Sequence, residues 1–121
     1  LIMCDPTTDI TNPNLIRASR GACFSVPVVE TSSTAAIEWL QQHQIDIIAT
    51  SLGASLTYTQ ADLTRPVAIV MGTEDTGLTN VWLQAAAQQV IIPMRGRVNS
   101  LNVSIATALL LYEALRQRTH L

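Results

Sequence analysis

The sequence has no lysine, and charged residues fill only 13% of its 121 positions. Its seven basic residues are all arginines, and with nine acidic residues the formal net charge is −2. Such a chain has no broad basic shell, so any contact with nucleic acid must depend on a few arginines. Hydrophobic residues make up 48% of the chain. We therefore expect a partner, such as a second copy, to cover part of the apolar surface.

Cysteines are also few, and Cys4 and Cys23 lack the spacing of metal ligands. We expect them to be buried free thiols in a reducing, cytoplasmic compartment, and we expect no metal site. No apolar run reaches the roughly 18 residues of a membrane span. The chain starts at Leu1, inside an apolar run and without an initiator methionine. This start suggests a piece of a longer protein.

Apolar and turn-forming segments alternate in a way that predicts one α/β domain, with a parallel sheet and helices on both faces. Strands are expected over residues 1–4, 26–29, 45–49, 67–71 and 90–92, and helices over about 34–43, 81–88 and 101–118. Thr31 to Ser33 should cap the first of these helices. A short helix or turn is expected to open at residues 12–14, and residues 58–63 are interpreted as a polar connection.

Two of the predicted strands run into glycine-bearing loops. Residues 67–71 lead into Gly72–Gly77, and residues 90–94 lead into Arg95–Asn102. Ligands bind outside the carboxyl ends of parallel strands, so these two loops predict one binding site.

The first loop matches the phosphate-binding pattern G-x-x-x-x-G-K-[ST], except that Leu78 stands where the pattern needs lysine. Glu74 and Asp75 would also repel a triphosphate. Nucleotide hydrolysis is therefore excluded, and the loop favours a neutral or cationic ligand such as a nucleoside that carries a sulfonium. His43 and His120 lie in polar surroundings, and neither assembles with a nucleophile.

The second loop ends in Ser100-Leu101-Asn102, where the long helix is expected to start. Asn99 or Ser100 should be the N-cap of that helix. This assignment would place Asn102 in the first turn, with its amide free to reach into the cleft.

At these residues the chain resembles the SpoU (TrmH-like) branch of the SPOUT RNA methyltransferases. Residues 67–78 resemble the second motif of that family and residues 92–106 its third, while residues 13–28 resemble a stretch between the first and second motifs. The resemblance implies a C-terminal trefoil knot and transfer of a methyl group from S-adenosylmethionine to a ribose 2′-hydroxyl of tRNA or rRNA. It also implies a homodimer, with the apolar residues 109–111 as a candidate contact.

The resemblance also implies roles for individual residues. The cofactor would be bound by the loops after the three central strands, through Thr50, Ser51, Leu52, Met71, Gly72, Gly77, Ile92, Pro93, Met94, Leu101 and Ala106, with Leu101 against the adenine. Glu74, Ser100 and Asn102 are the expected catalytic-site residues. We expect Asn102 to order the loops, because an amide cannot act as a general base. We expect the same positioning role for Glu74. Arg17, Arg20, Arg95 and Arg97 would hold RNA phosphates, with surface ion pairing as the alternative.

The family's first motif, with its asparagine and arginine, has no match in this sequence. Asn14 and Arg17 lack the glycine that stands between the two in that motif. We therefore expect a domain without its N-terminal strand and helix, and little activity from this polypeptide alone. The alternative is a noncatalytic RNA-binding or dimerisation module that keeps the fold. The sequence does not indicate which RNA or which nucleotide is modified.

Overall fold

The computed structural model describes residues 1–7, 9–73, 76–98 and 100–119. The chain divides into two compact units, Leu1–Trp39 (unit 1) and Leu40–Leu121 (unit 2), and each is described by itself. The prediction of an α/β fold with a parallel sheet is confirmed, because all the strand pairs in the described residues are parallel. A single domain remains a prediction.

Unit 1 contains a two-stranded sheet, in which β1 (Ile2–Cys4) pairs with β2 (Val29–Thr31). Between them lie α1 (Pro13–Ala18) and a 3-10 helix (Ala22–Phe24). Asn12 caps α1 by accepting the Asn14 N–H at 2.8 Å. The predicted strand over 26–29 is wrong in its bounds. Pairing begins where the Val29 N–H donates to the Leu1 carbonyl, and Pro27 has no N–H to extend it.

Helix α2 (Ser33–Gln42) follows β2 and confirms the predicted cap, because Ser32 Oγ accepts the Ala35 N–H at 3.1 Å. Its buried face carries Ala36, Ile37 and Leu40, also as predicted.

The expectation of fully buried thiols is wrong, since Cys4 and Cys23 are both free and only half-buried. A unit of this size has too little interior to cover its outer elements. Partial burial, with a smaller contribution from Asp5, raises the pKa of the Cys4 thiol.

Unit 2 contains four parallel strands, β3 (Asp46–Thr50), β4 (Leu56–Thr57), β5 (Val67–Val70) and β6 (Gln88–Ile91), in the order β4-β6-β3-β5. Its helices are α3 (Asn80–Ala85) and α4 (Val103–Thr119). The sequence analysis missed β4, whose two residues pair with β6. The helix expected over 81–88 ends earlier than predicted, at Ala85. The Ala87 N–H donates to the Ile47 carbonyl, and this bond leads the chain into β6.

The central strand β3 is covered on both faces. Ile48 packs in a buried cluster with Val90, Leu110 and Ala114, so α4 lies on this face. Ile47 and Ala49 are equally buried, and their side chains point to the other face of the sheet. Helix α3 contacts this strand. Parallel pairing puts alternate residues of β5 and β6 on the face of Ile48, which builds one continuous core.

The connection between β4 and β5 is not the polar segment that was predicted. Ala61 and Leu63 are buried in the core cluster. Gln117 of α4 holds this connection, since its Oε1 accepts the Leu63 N–H at 2.8 Å and its Nε2 donates to the Ala61 carbonyl at 2.9 Å. Arg118 donates to the carbonyls of Leu63 and Arg65. We call residues 61–65, together with Gln117 and Arg118, the clasp.

Glu113 supports the clasp from one turn earlier in α4. Its carboxylate accepts two hydrogen bonds from Arg116, at 2.9 and 2.8 Å, and one from Gln117 at 2.9 Å. These bonds, those from Arg116 first, lower the pKa of Glu113 from 4.5 to about 2. Glu113 is thus a buried but fully paired charge.

Within the described residues, no helix combines the length and apolarity that a membrane crossing requires. The trefoil knot remains an expectation from the resemblance, because strand order alone does not establish it.

Candidate functional site

A cavity of about 390 Å³ lies at the carboxyl ends of β3, β5 and β6. Ten of the eleven expected cofactor-binding residues line it: Thr50, Ser51, Leu52, Met71, Gly72, Gly77, Ile92, Met94, Leu101 and Ala106. Pro93 does not line it, and is exposed between two residues that do. The predicted convergence of three loops at one edge of the sheet is therefore confirmed. What each of these residues binds remains a prediction.

The loop after β3 is tied to both neighbouring strands. The Thr50 hydroxyl donates to the Val70 carbonyl at 3.3 Å, where β5 ends. The Ser51 N–H donates to the Val90 carbonyl of β6 at 3.0 Å. Ser51 Oγ also accepts the Gly53 N–H at 3.2 Å. This loop therefore forms a fixed edge of the cavity.

The loop after β5 closes on itself. The Gly77 N–H donates to the Thr73 carbonyl at 2.9 Å, and the hydroxyls of Thr73 and Thr76 lie 2.6 Å apart. A Cβ on Gly72 would lie 2.6 Å from the Gly77 carbonyl oxygen and would also collide with the Leu78 nitrogen. Gly72 is one of the residues expected to bind the cofactor. The structure shows that the space beside it holds the loop's own backbone, so glycine is needed to close the loop.

The segment after β6 forms the opposite wall. The last hydrogen bonds to β6 are those from the Ser51 N–H to the Val90 carbonyl and from the Tyr58 N–H to the Ile91 carbonyl. Beyond them, Ile92, Met94 and Leu101 line the cavity and are half-buried.

The start of α4 corrects the expected cap. Asn102, and not Ser100, caps the helix: its Oδ1 accepts the Ser104 N–H at 2.9 Å, and its carbonyl accepts the Ala106 N–H at 2.9 Å. The helix begins two residues later than expected, which moves Asn102 from the first turn to the cap position. Its amide is exposed and does not line the cavity, whereas Ser100 does. Asn99 lies outside the described residues.

The lining of the cavity is chemically neutral in the described part of the chain. It combines aliphatic and thioether side chains with the hydroxyls of threonine and serine, and none of the described lining residues is charged. Glu74 and Asp75 lie outside the described residues, so the role expected for Glu74 remains a prediction. Nor do the described histidines, cysteines and carboxylates form a cluster of metal ligands. Such a cavity suits a mostly apolar ligand with a few hydrogen-bonding groups.

Two of the lining residues that were not expected come from helices, while the others belong to the same strands and loops as the expected ones: Gly53, Thr73, Thr76, Leu78, Val90 and Ile91. Leu83 reaches the cavity from α3 and Val103 from the first turn of α4. Val103 had a signal in the sequence, since it directly follows the Ser100-Leu101-Asn102 motif. Leu83 had none, because its position depends on how α3 packs against the sheet.

The arginines fall into two groups. Arg65, Arg116 and Arg118 are engaged with Asp46, with Glu113 and with backbone carbonyls, respectively. Among the described residues, the guanidinium groups of the other four have no hydrogen-bond or ion-pair partner: Arg17, Arg20, Arg95 and Arg97. Arg17 and Arg20 belong to unit 1, while Arg95 and Arg97 are exposed in the segment between β6 and α4. Ion pairing thus involves Arg65 and Arg116, neither of which was expected to bind RNA, and the role expected for the other four arginines remains a prediction.

Comparison with known proteins agrees with this geometry. The model of the SpoU rRNA Methylase family matches residues 1–112. The tRNA (guanosine(18)-2′-O)-methyltransferase of Escherichia coli K12 is 49% identical over 84 residues, which are 69% of this chain and 37% of that protein. The 23S rRNA (guanosine-2′-O-)-methyltransferase RlmB of Pectobacterium atrosepticum is 38% identical over 108 residues, 88% of this chain and 44% of that protein.

A solved structure supports the same assignment. The AdoMet-bound rRNA methyltransferase of Sinorhizobium meliloti superimposes with a TM-score of 0.89 and 34% identity, over 95% of this chain and 44% of that protein. The chain thus spans less than half the length of these relatives. Because the family model covers both units and both glycine-bearing loops, the chain belongs to the SpoU rRNA methylase family.

Proposed function

We propose that this chain is the cofactor-binding part of an S-adenosylmethionine-dependent RNA 2′-O-ribose methyltransferase. The observation that carries the proposal is the neutral cavity of about 390 Å³ at the ends of three parallel strands. Its volume falls in the range of small-molecule sites, roughly 300 to 1,000 Å³. The AdoMet-bound relative supports the identity of the ligand.

The residues present fit such a cofactor. Met71, Ile92 and Leu101 offer apolar surface to an adenine ring, and the hydroxyls of Thr73 and Ser100 are available to polar groups. When bound, S-adenosylmethionine would supply an electrophilic methyl group. The chain's own contribution would be to hold and orient the ligand and to exclude water, since a misplacement of about 1 Å can lower a rate about a hundredfold.

Asn102 would act as a positioning residue. It caps α4 and so fixes the first turn, from which Val103 and Ala106 line the cavity. Ser100 lines the cavity directly. Glu74 is proposed to order the loop after β5, and this role needs a functional test.

RNA is the proposed substrate, because the relatives are named as methyltransferases of tRNA and of 23S rRNA. Arg17, Arg20, Arg95 and Arg97, whose guanidinium groups have no partner in the described part of the chain, would bind its phosphates. We expect Arg95→Ala and Arg97→Ala to weaken RNA binding and to reduce its salt dependence. Arg65→Ala should leave both unchanged, because Arg65 already pairs with Asp46 at 3.6 Å.

A homodimer is the proposed assembly, and we propose a cytoplasmic location for the RNA-modifying reaction. Of the expected contact residues 109–111, Leu110 is buried in the core, which corrects that part of the expectation. An exposed apolar stripe on α4 replaces it: Ile105, Leu111, Tyr112 and Leu115 are between 51% and 73% exposed. Sedimentation should show a dimer, and Leu111→Glu combined with Leu115→Glu should yield monomers.

Calorimetry with S-adenosylhomocysteine tests the cofactor site. Leu101→Asp should abolish binding, because it places a carboxylate in the neutral wall. Val98→Asp is the matched control, since Val98 is 66% exposed and does not line the cavity. The proposal fails if the folded wild-type chain shows no binding, or if the two variants bind equally well.

Transfer of labelled methyl groups to bulk unmodified RNA separates the enzyme from the noncatalytic alternative. Cofactor binding with no methyl transfer by the full-length product of the gene would favour a noncatalytic RNA-binding or dimerisation module.

A further inference from the structure

Unit 1 has one side turned toward an apolar cavity and another turned toward solvent. Leu15, Ser19, Ala22 and Cys23 help to line that cavity, whose volume is about 340 Å³. Three residues of the same segment do not line it and are exposed: Arg17, Arg20 and Phe24. The outward side of α1 and the 3-10 helix therefore presents two guanidinium groups and an aromatic ring within one short segment.

Phe24 is the only phenylalanine in the chain, and 76% of its surface is exposed. Exposing a large apolar ring is unfavourable in water, whereas the ring would be well placed to contact a flat partner. The charged residues near it along the chain are of one sign, because Arg17 and Arg20 are basic and no acidic residue occurs between positions 10 and 29. This arrangement favours an anionic partner that also has an aromatic face.

The backbone conformation of Arg20 also supports a functional role for this segment. Its φ of 53° lies in the left-handed region, which glycine or asparagine adopts more easily than arginine does. Within residues 1–7, 9–73, 76–98 and 100–119, the guanidinium groups of Arg20 and Arg17 have no hydrogen-bond or ion-pair partner. An arginine held in an unfavourable backbone conformation suggests that its positive charge has a function, such as binding an anion.

We propose that Arg17, Arg20 and Phe24 form a binding surface for unpaired ribonucleotides, on which Phe24 stacks against a base and the two arginines hold the adjacent phosphates. This inference rests on the proposed RNA substrate and narrows it to unpaired segments. Base faces are covered by their neighbours in a duplex and become available for stacking only in loops, bulges and single strands.

Two RNA probes test the proposal with the full chain. One is a short unstructured RNA with a central 2-aminopurine, and the other is the same strand annealed to its complement. Phe24→Ala should weaken binding of the single strand by about 5- to 150-fold, the range for loss of one stacked base. It should leave duplex binding unchanged. Quenching of 2-aminopurine fluorescence by the wild-type chain should disappear in this variant.

Matched variants separate stacking from general apolar contact. Phe24→Trp should retain the affinity and the quenching, whereas Phe24→Leu should lose both. Val29→Ala removes another exposed apolar group of unit 1, 59% exposed, and should change neither. Arg17→Ala and Arg20→Ala should weaken binding of both probes and lower the salt dependence. Because all these side chains are exposed, melting temperatures should stay close to that of the wild type.

The possible failures are distinguishable. If the wild-type chain binds RNA but Phe24→Ala lowers the affinity for both probes equally, or for neither, the stacking surface is refuted and the proposed function stands. If the wild-type chain binds neither probe, the stacking surface is refuted together with the proposed RNA substrate, whereas the cofactor site is judged separately by the calorimetry described above.

Discussion

The cavity end and the clasp end of unit 2 use side-chain hydrogen bonds over very different distances along the chain. At the cavity, the bonds of Ser51, of the Thr73–Thr76 pair and of Asn102 reach only two or three residues. At the clasp, the bonds of Gln117 and Arg118 join residues 53 to 56 positions apart. The exception at the cavity is the Thr50 hydroxyl, which donates to the Val70 carbonyl 20 residues away and ties the loop after β3 to β5. Side-chain bonds at the cavity are thus mostly local, while those at the clasp hold more distant segments together.

Unit 2 therefore uses different groups of residues for stability and for ligand binding. Breaking a clasp bond leaves buried backbone groups of the 61–65 connection without partners, which is costly. A change in a cavity loop mainly alters the shape of that loop. We therefore expect variants at the clasp to change unfolding free energy, and variants at the cavity to change affinity. The predictions below test this separation.

Gln117→Leu should have the largest effect on stability. It removes the partners of the Leu63 N–H and the Ala61 carbonyl, each of which costs about 1 to 3 kcal/mol when buried and unpaired. Denaturant unfolding should show a loss of about 3 kcal/mol, and the affinity of the folded protein for S-adenosylhomocysteine should stay within about twofold of the wild type's. Gln84→Leu, on the exposed side of α3, is the control. Equal losses in the two variants would contradict the role of the clasp.

Gly72→Val should act mainly at the cavity. Its side chain would collide with the Gly77–Leu78 backbone and force the loop open, at a cost of about 1 to 3 kcal/mol. Calorimetry should show no binding of S-adenosylhomocysteine. Gly53→Ala meets only the Ser51 hydroxyl, at 3.8 Å, and should bind normally. Normal binding by Gly72→Val would show that closure of this loop is not needed.

Acid pH should weaken the clasp end through Glu113. Its pKa falls from 4.5 to about 2 on folding, so the ionised carboxylate stabilises the fold fully above pH 4.5. This contribution decreases below pH 4.5 and is lost as the pH passes about 2. Unfolding measured from pH 6 down to pH 2 should be less pH-dependent in Glu113→Gln than in the wild type. An identical pH dependence would mean that the carboxylate is not engaged in solution.

Asn102→Ala should have the smallest effect on stability, about 1 kcal/mol for loss of an N-cap. Because the cap fixes the turn that lines the cavity, affinity for S-adenosylhomocysteine should fall several-fold. Asn102→Asp, which can still accept the Ser104 N–H, should restore the stability. Asn80→Ala is a matched control, because the Asn80 side chain makes no hydrogen bond in the described part of the chain. An unchanged affinity in Asn102→Ala would limit this residue to capping.

The site was more predictable than some of the elements around it. Apolar runs such as β3 and β5 differ from their flanking turns so clearly that their positions were predicted to within one residue. Gly72 and Gly77 lie in the loop that follows β5, Leu101 lies in the segment that follows β6, and the carboxyl ends of parallel strands meet at one edge. β4 was missed because its two residues carry no periodic signal and form a strand only by pairing with β6.

The sequence by itself determined the α/β class, the two glycine-bearing loops and the absence of a phosphate-binding lysine, because these depend on local composition and short spacings. Only the tertiary structure decided that residues 61–65 are part of the core, since Gln117 reaches them from more than fifty residues away. It likewise decided that Asn102 is a cap and that the guanidinium groups of four arginines have no partner among the described residues. Such roles depend on contacts between residues that are far apart in the sequence, and local sequence patterns do not specify those contacts.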